Sequence, residues 1–187
     1  YVTRVDVPLA VRSSGLLEDS HSQPLAGLYA TYMLPNNHPD FEVRLNHLAT
    51  AVKLVYASAY VERPRRYLQA IGQDLAEARM AVIIQEVVGH RHGRYFYPAI
   101  SGVAQSHNHY PIFQMKREDG VATIALGLGK QVVEGGDAVR FCPRYPQVLP
   151  QFRSPAEVLK VSQREFFALD LERSEARFEG QLLEDLK

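Results

Sequence analysis

The longest regular pattern in the chain is amphipathic and runs over residues 41–62. Its apolar residues recur at spacings of three and four, at Leu45, Leu48, Val52, Val55 and Ala59. This spacing predicts a helix with one buried face, begun by the N-cap Asp40 and ended by Pro64. A helix of this kind must bury its apolar face against another layer, so the rest of the chain has to supply one.

Strand-like segments on both sides of this helix supply the second layer. Runs rich in β-branched and aromatic residues are typical of strands. They cover residues 5–12, 26–33, 80–88, 95–104, 112–115 and 121–126. The run at 80–88 is nearly all apolar, which predicts a strand covered on both faces. Because strands and helices do not alternate regularly, the pattern indicates an α+β fold.

The remaining segments are predicted as helices or connections. Residues 73–78 are a further helix candidate, and residues 89–93 and 127–136 are predicted to be turns or glycine-rich connections. Four prolines predict an irregular segment over residues 141–155, and residues 157–187 are expected to be mostly helical with a charged face.

Three arginines, Arg63, Arg65 and Arg66, follow the long helix. Basic residues at a helix C-terminus are favoured by the helix dipole, so a solvated helix end is the first interpretation. A phosphate-binding patch is the second.

Charge and composition restrict the classes of partner. Lys plus Arg equals Asp plus Glu, 21 each, so there is no overall charge to attract nucleic acid or an anionic membrane, and neither is expected as a partner. The single cysteine, Cys142, permits no intrachain disulfide and fits a reducing, cytoplasmic location. The chain has no initiator Met and ends in helix-forming sequence, so we expect a piece of a longer protein.

The segment with the clearest chemistry is Val11-Arg12-Ser13-Ser14. An Arg at a strand end, followed by Ser hydroxyls, can hold phosphate oxygens in a forked, charge-assisted geometry. Gly27 and Thr31, further on, offer a backbone N–H and a hydroxyl with room for phosphates to approach. On residue types alone a second interpretation is equally open, in which Arg12 pairs with Glu18 or Asp19 in a polar turn.

This segment resembles the signature of the pyruvate phosphate dikinase and phosphoenolpyruvate synthase family, whose ATP-binding domain carries Val-Arg-Ser-Ser, then Glu-Asp, then Ala-Gly. The further matches follow in order along the chain. They are Glu18-Asp19, Ala26-Gly27, Ala57-Ser58, the apolar strand with Gln85, Ser101-Gly102-Val103, Gly127-Leu128-Gly129, and Val132-Val133 with Gly135. Together they cover about residues 8–140, and such an ordered set is far more specific than any one match.

The resemblance implies an ATP-grasp-like nucleotide-binding domain, present only in part, over residues 1–187. Its core is expected at 8–140, followed by the irregular segment and C-terminal helix at 141–187. Family members cleave ATP and pass a phosphoryl group to a histidine on a separate domain, which then visits a pyruvate-binding domain. ATP and Mg²⁺ are the implied cofactors, and those two domains of the same protein are the implied partners.

The resemblance also implies roles for individual residues. Arg12 would contact the ATP phosphates and serve as the catalytic residue, while Gly27, Thr31 and Tyr32 would line the phosphate region. Gln85 would lie near the adenine and could read its edge. No metal ligand is assigned within the chain.

Several departures from the family pattern leave a second function open. Gln105 stands where the family has an aromatic residue, and Lys130 stands where it commonly has Glu. The family's phosphate-binding Lys, magnesium-ligating Glu and Gln-x-Arg-Pro segment are not found in the chain. The alternative is a divergent, non-catalytic nucleotide-sensing or interaction module with the same fold. An upstream Lys, a downstream Glu and a phosphohistidine domain in the full-length protein would favour the enzyme.

Two His-x-His pairs, His90 with His92 and His107 with His109, raise the possibility of a metal site. Residues i and i+2 of a strand share a face, so each pair could chelate. Both pairs lie in turn-like sequence without a matching carboxylate or thiol. We therefore expect no tightly bound zinc in untagged protein, and elemental analysis is the measurement. About one zinc per chain, lost on changing His107 and His109, would contradict this.

We also expect the isolated chain to bind ATP weakly or not at all and to show no phosphotransfer. It lacks the family's phosphate-binding Lys and magnesium-ligating Glu, and two lost charged contacts at about 1.5–3 kcal/mol each weaken binding a hundredfold or more. Calorimetry with Mg-ATP is the measurement. A micromolar dissociation constant would mean that Glu134, Asp137 or another residue of the chain replaces the missing ligands.

Overall fold

The computed structural model describes residues 4–15, 28–72, 79–133, 135–149, 151–152 and 154–172. This part of the chain contains helices and small antiparallel sheets, which confirms the α+β class. The chain divides into two compact units. Unit 1 comprises Tyr1–Val88, Gly93–Tyr95 and Leu169–Lys187, and unit 2 comprises Gly89–His92 and Phe96–Ala168.

Unit 1 is built on a three-stranded antiparallel sheet in the order β2-β1-β3. Its strands are β1 at Leu9–Gly15, β2 at Thr31–Leu34 and β3 at Met80–Glu86. β1 is central, since its register joins Leu9 to Leu34 on one side and to Glu86 on the other. The strand that carries the Arg-Ser-Ser segment is therefore held on both edges.

Helix α1, at Phe41–Ser58, covers one face of this sheet. It begins as predicted, because Asp40 Oδ1 accepts the Glu42 N–H at 2.9 Å. The core between helix and sheet consists of Leu9, Val11, Tyr32, Leu34, Leu48, Ala51 and Val55. The predicted buried face is slightly rotated: Leu45 is 39 % exposed, whereas Ala51 is fully buried.

Helix α2, at Glu62–Ala70, is a second helix rather than the end of the first. Pro64 lies in its first turn, where a missing N–H costs nothing, and its side chain is buried with that of Leu68. The three arginines therefore lie in the first half of α2, so the predicted helix C-terminus at this point is wrong. Arg66 pairs with Glu62 one turn earlier.

Two sets of contacts hold outlying segments within unit 1. Asn36, at φ 53°, donates from its buried side chain to the carbonyls of Val5 and Val7, at 2.8 and 3.0 Å. The Asp170 carboxylate accepts hydrogen bonds from Nε and Nη2 of Arg94, and this pairing raises the pKa of the guanidinium. The Asn37 amide donates to the Leu171 carbonyl at 2.8 Å. Residues 170–171 are thus hydrogen-bonded to residues far away in sequence.

Unit 2 contains a second three-stranded antiparallel sheet, in the order β6-β7-β8. The other elements of unit 2 are β4 at His90–His92, β6 at Ser101–Gln105, a 3-10 turn at Arg117–Asp119, β7 at Val121–Ala125, helix α3 at Lys130–Val133, β8 at Val139–Phe141 and helix α4 at Pro155–Val161. Strand β5, at Tyr95–Tyr97, begins in unit 1 and ends in unit 2, and β9, at Leu169–Asp170, belongs to unit 1. β7 is the central strand, paired with β6 through Ser101–Ala125 to Gln105–Val121 and with β8 through Ala122–Phe141 to Ile124–Val139. Its Val121, Ala122 and Ala125 are buried.

Several predicted elements differ from the structure. Only Met80–Glu86 of the segment at 80–88 is a strand, and its residues are half-buried or exposed, with only Met80 and Val82 packed against the core. Residues 90–92 are a strand instead of a turn, the strand at 95–104 is divided at Pro98, and residues 112–115 form a turn instead of a strand. The predicted C-terminal helix at 157–187 is observed only as far as Val161, and residues 73–78 and 173–187 lie outside the described residues.

Among the described residues, no helix is long and apolar enough to cross a membrane.

Asp119 generates a testable dependence of stability on pH. Its side chain is 2 % exposed and accepts the Lys116 N–H at 2.7 Å and the Arg144 guanidinium at 2.9 Å. The Lys116 hydrogen bond, helped by Arg144 and opposed by burial, lowers the pKa of Asp119. The ionised carboxylate therefore stabilises the fold above the pKa of an unfolded Asp, about 3.9, and this contribution is lost as the pH falls through the lowered folded-state pKa.

We expect Asp119→Asn to lower the melting temperature at pH 7 and to have a progressively smaller effect below pH 4. Circular dichroism melts over a pH series measure this. Asp137→Asn is the matched control, since Asp137 is exposed and has no hydrogen bond among the described residues. A difference between wild type and Asp119→Asn that stays constant from pH 7 to pH 3 would contradict the argument.

Candidate functional site

The two faces of the unit 1 sheet differ in chemistry because side chains alternate along each strand. Leu9, Val11 and Ser13 of β1 are buried on the α1 side. The opposite face, which we name the open face, carries Ala10, Arg12, Ser14, Thr31, Met33, Ala81, Ile83 and Gln85. Most of its side chains are exposed or half-buried, so a ligand can reach them.

Three residues predicted from the sequence to bind nucleotide lie together on the open face. Arg12 lies directly opposite Thr31 on β2 and opposite Ile83 on β3. Gln85, beside Ala10, is the diagonal neighbour of Arg12. Directly opposite residues have Cβ atoms about 4.5–5.5 Å apart and diagonal neighbours about 7–8 Å apart. The guanidinium, the hydroxyl and the amide can therefore touch one small ligand at the same time.

Arg12, Thr31 and Gln85 are exposed, and none of their side chains has a hydrogen-bond or ion-pair partner in the described part of the chain. Ionic and amide groups that no neighbour uses are free to bind a solute. Glu18 and Asp19, the two alternative partners of Arg12, lie outside the described residues, so that alternative stays open.

The other two predicted residues are not on the open face of the described structure. Tyr32 follows Thr31 directly, so its side chain points to the opposite face, where it is 7 % exposed and packs in the core beside α1. This position gives the ring a structural role, and a contact between Tyr32 and nucleotide stays a prediction. Gly27 lies outside the described residues.

The donor set of the open face is suited to an anionic, phosphorylated ligand. Arg12 supplies a planar, permanently charged fork, and Thr31 supplies a hydroxyl beside it. Gln85 can both donate and accept, as the edge of a nucleobase requires. Among the described residues the face has no carboxylate, so it does not supply the oxygen ligands that Mg²⁺ prefers. A magnesium ion would have to be held by residues from elsewhere.

The histidine pairs do not join a larger cluster of metal ligands. The rings of His107 and His109 meet edge to face with centroids 4.7 Å apart, and His92 stacks on Tyr97 at 4.2 Å. In the described part of the chain, no group of three or more His, Cys, Asp or Glu side chains could hold a metal. Aromatic packing accounts for at least one ring of each pair.

The Gly127-Leu128-Gly129 segment forms a tight turn whose backbone is already bonded. Gly127 has φ 82°, and a Cβ there would lie 2.7 Å from the Phe167 carbonyl oxygen. The Leu128 N–H donates to that same carbonyl at 2.8 Å, and the Gly127 N–H donates to Pro98 O at 3.3 Å. The following Lys130 holds its ammonium 5.0 Å from the Phe167 ring centroid. These bonds favour a structural turn over a phosphate contact.

Comparison with known families identifies the family of this chain. The family model described as pyruvate phosphate dikinase, AMP/ATP-binding domain, matches residues 2–162 of the 187. This match covers most of the chain, so the chain belongs to the pyruvate phosphate dikinase AMP/ATP-binding domain family, as its motifs predict. The matched region ends beside α4, whose last residue is Val161. None of the curated proteins matches the chain significantly.

Sequence reasoning missed the apolar part of the open face, Met33 and Ile83. The missing signal was the two-residue period of each strand. Once Arg12 and Thr31 are assigned to one face, the period adds Met33 and excludes Tyr32, because neighbouring residues in a strand point to opposite faces. The register between β1 and β3 then adds Ile83, and such a register is not readable from a single sequence.

Proposed function

We propose that this chain is the ATP-binding part of a phosphoenolpyruvate synthase- or pyruvate phosphate dikinase-like phosphotransferase. In this proposal the full-length protein cleaves ATP and transfers a phosphoryl group to a histidine on a separate domain, from which a pyruvate-binding domain receives it. The domain is of the ATP-grasp kind, residues outside this chain complete it, and the protein acts in the cytoplasm.

The observation that carries the proposal is the arrangement on the open face. The Val-Arg-Ser-Ser segment of the family lies on the central strand, so the backbone of Arg12 is fixed by paired strands on both sides. A cation carried on a fixed backbone beside a hydroxyl suits phosphoryl transfer, in which a protein mainly positions groups and stabilises charge. Membership of an AMP/ATP-binding family supports a nucleotide as the phosphorylated ligand.

The open face also supports an orientation for the nucleotide. Gln85 lies two residues from the half-buried Ile83 on the same face of β3, which suits a base that needs both an apolar surface and an edge partner. Arg12, two residues beyond Ala10 on β1, and Thr31, opposite it on β2, suit the phosphates. Magnesium and the phosphate-binding Lys of the family would come from residues that are not on this face.

We predict that Arg12→Ala in the full-length protein lowers ATP turnover much more than it lowers stability. A lost charge-assisted phosphate contact costs about 2–4 kcal/mol of transition-state stabilisation, equivalent to about 30- to 900-fold in kcat/KM. The side chain is exposed, so the melting temperature should change little. Steady-state kinetics and a thermal melt measure the two effects.

Arg63→Ala is the matched control for this experiment. Arg63 is also exposed and unpaired in the described structure, but it lies on α2, away from the sheet, and tests the alternative phosphate patch. Normal turnover in a folded Arg12→Ala protein would remove Arg12 from the site. A wild-type protein that binds ATP without cleaving it would instead support the non-catalytic alternative.

A further inference from the structure

Two serines follow Arg12, and the strand gives them different environments. Ser13 faces α1, is 7 % exposed and is engaged within the protein. Ser14 lies two residues beyond Arg12 on the open face, half-buried, and its hydroxyl has no partner in the described part of the chain. The sequence alone treats the two hydroxyls as equivalent, whereas the structure leaves only that of Ser14 available to a ligand.

The position of Ser14 along the strand is as informative as its face. The polar groups of the open face are arranged in successive rows across the sheet. Gln85 lies beside Ala10, Thr31 beside Arg12, and Ser14 beside Ala81. A strand rises about 3.4 Å per residue, so neighbouring rows are about 7 Å apart and the outer two about 14 Å apart. That span is comparable to the length of an extended nucleoside triphosphate.

The side chain opposite Ser14 leaves room for a ligand group. Ala81 has only a methyl group and offers no hydrogen bond that could compete for the Ser14 hydroxyl. The row therefore combines an unused donor with open space, and it lies on the side of Arg12 away from Gln85. A nucleotide with its base at Gln85 and its phosphates at Arg12 would extend its last phosphate towards this row.

We propose that the Ser14 hydroxyl donates a hydrogen bond to the terminal phosphate of ATP and so makes the site selective for the triphosphate over the monophosphate. The inference rests on the proposed function, which supplies the nucleotide and its direction. It adds a specificity-determining residue, and it assigns Ser13 to the structure of the core instead of to the ligand.

The test is calorimetry of the full-length protein with ATP, ADP and AMP. Ser14→Ala should weaken ATP binding roughly tenfold or more, the usual effect of losing a hydrogen bond to a charged group, and should leave AMP binding within about twofold. Ser13→Ala is the matched control, and it should lower the melting temperature while leaving the affinities for all three nucleotides unchanged.

A second pair of variants separates the hydroxyl from effects on folding. The two variants are Ser14→Thr and Ser14→Val. The Thr and Val side chains have nearly the same shape and both suit a strand, but only Thr keeps the hydroxyl. We expect Thr to retain the preference for ATP and Val to lose it. Equal ATP affinity of Thr and Val, or an equal loss for AMP and ATP, would overturn the role of Ser14. A wild-type protein that binds none of the three nucleotides would overturn the proposed function itself.

Discussion

The packing of α1 against β1 is the interaction on which the rest of unit 1 depends. Leu9 and Val11 of the strand and Ala51 and Val55 of the helix are all buried to within a few per cent. Burying a Leu or Val side chain contributes about 1.5–3 kcal/mol, more than any single surface contact described here. Because α1 covers the face of β1 that carries Leu9 and Val11, the alternating residues Arg12 and Ser14 must point to the other face. The site is thus a consequence of the core.

Local patterns predicted part of this structure well. The period of the long helix and its Asp40 cap identify α1, since both signals are contained in a few neighbouring residues. Non-local pairing was harder to predict. The apolar segment at 80–88 is an edge strand with exposed residues, and residues 112–115 form a turn although their composition suits a strand. The place of a strand in its sheet depends on partners far away in sequence, so composition does not determine it.

The candidate site shows the same division between local and non-local information. The motif identifies Arg12 because the family constrains a short segment, and the period of the strand then separates Thr31 from Tyr32. The neighbourhood of Gln85 and Arg12 could not be predicted, since it depends on the register between β1 and β3. The open face has a cation, hydroxyls and an amide but no carboxylate among its described residues, so it can provide only part of a metal-nucleotide site.

The central position of β1 has a consequence for how this chain can vary. A shift by one residue exchanges the two faces of a strand, which would bury the Arg12 guanidinium beside α1 and expose Val11. An insertion or deletion within Leu9–Gly15 would therefore damage the core and the open face together, whereas side-chain replacements on the open face leave the core intact. Length changes should thus be rare in this strand across the family, while single substitutions on the open face should be tolerated by the fold.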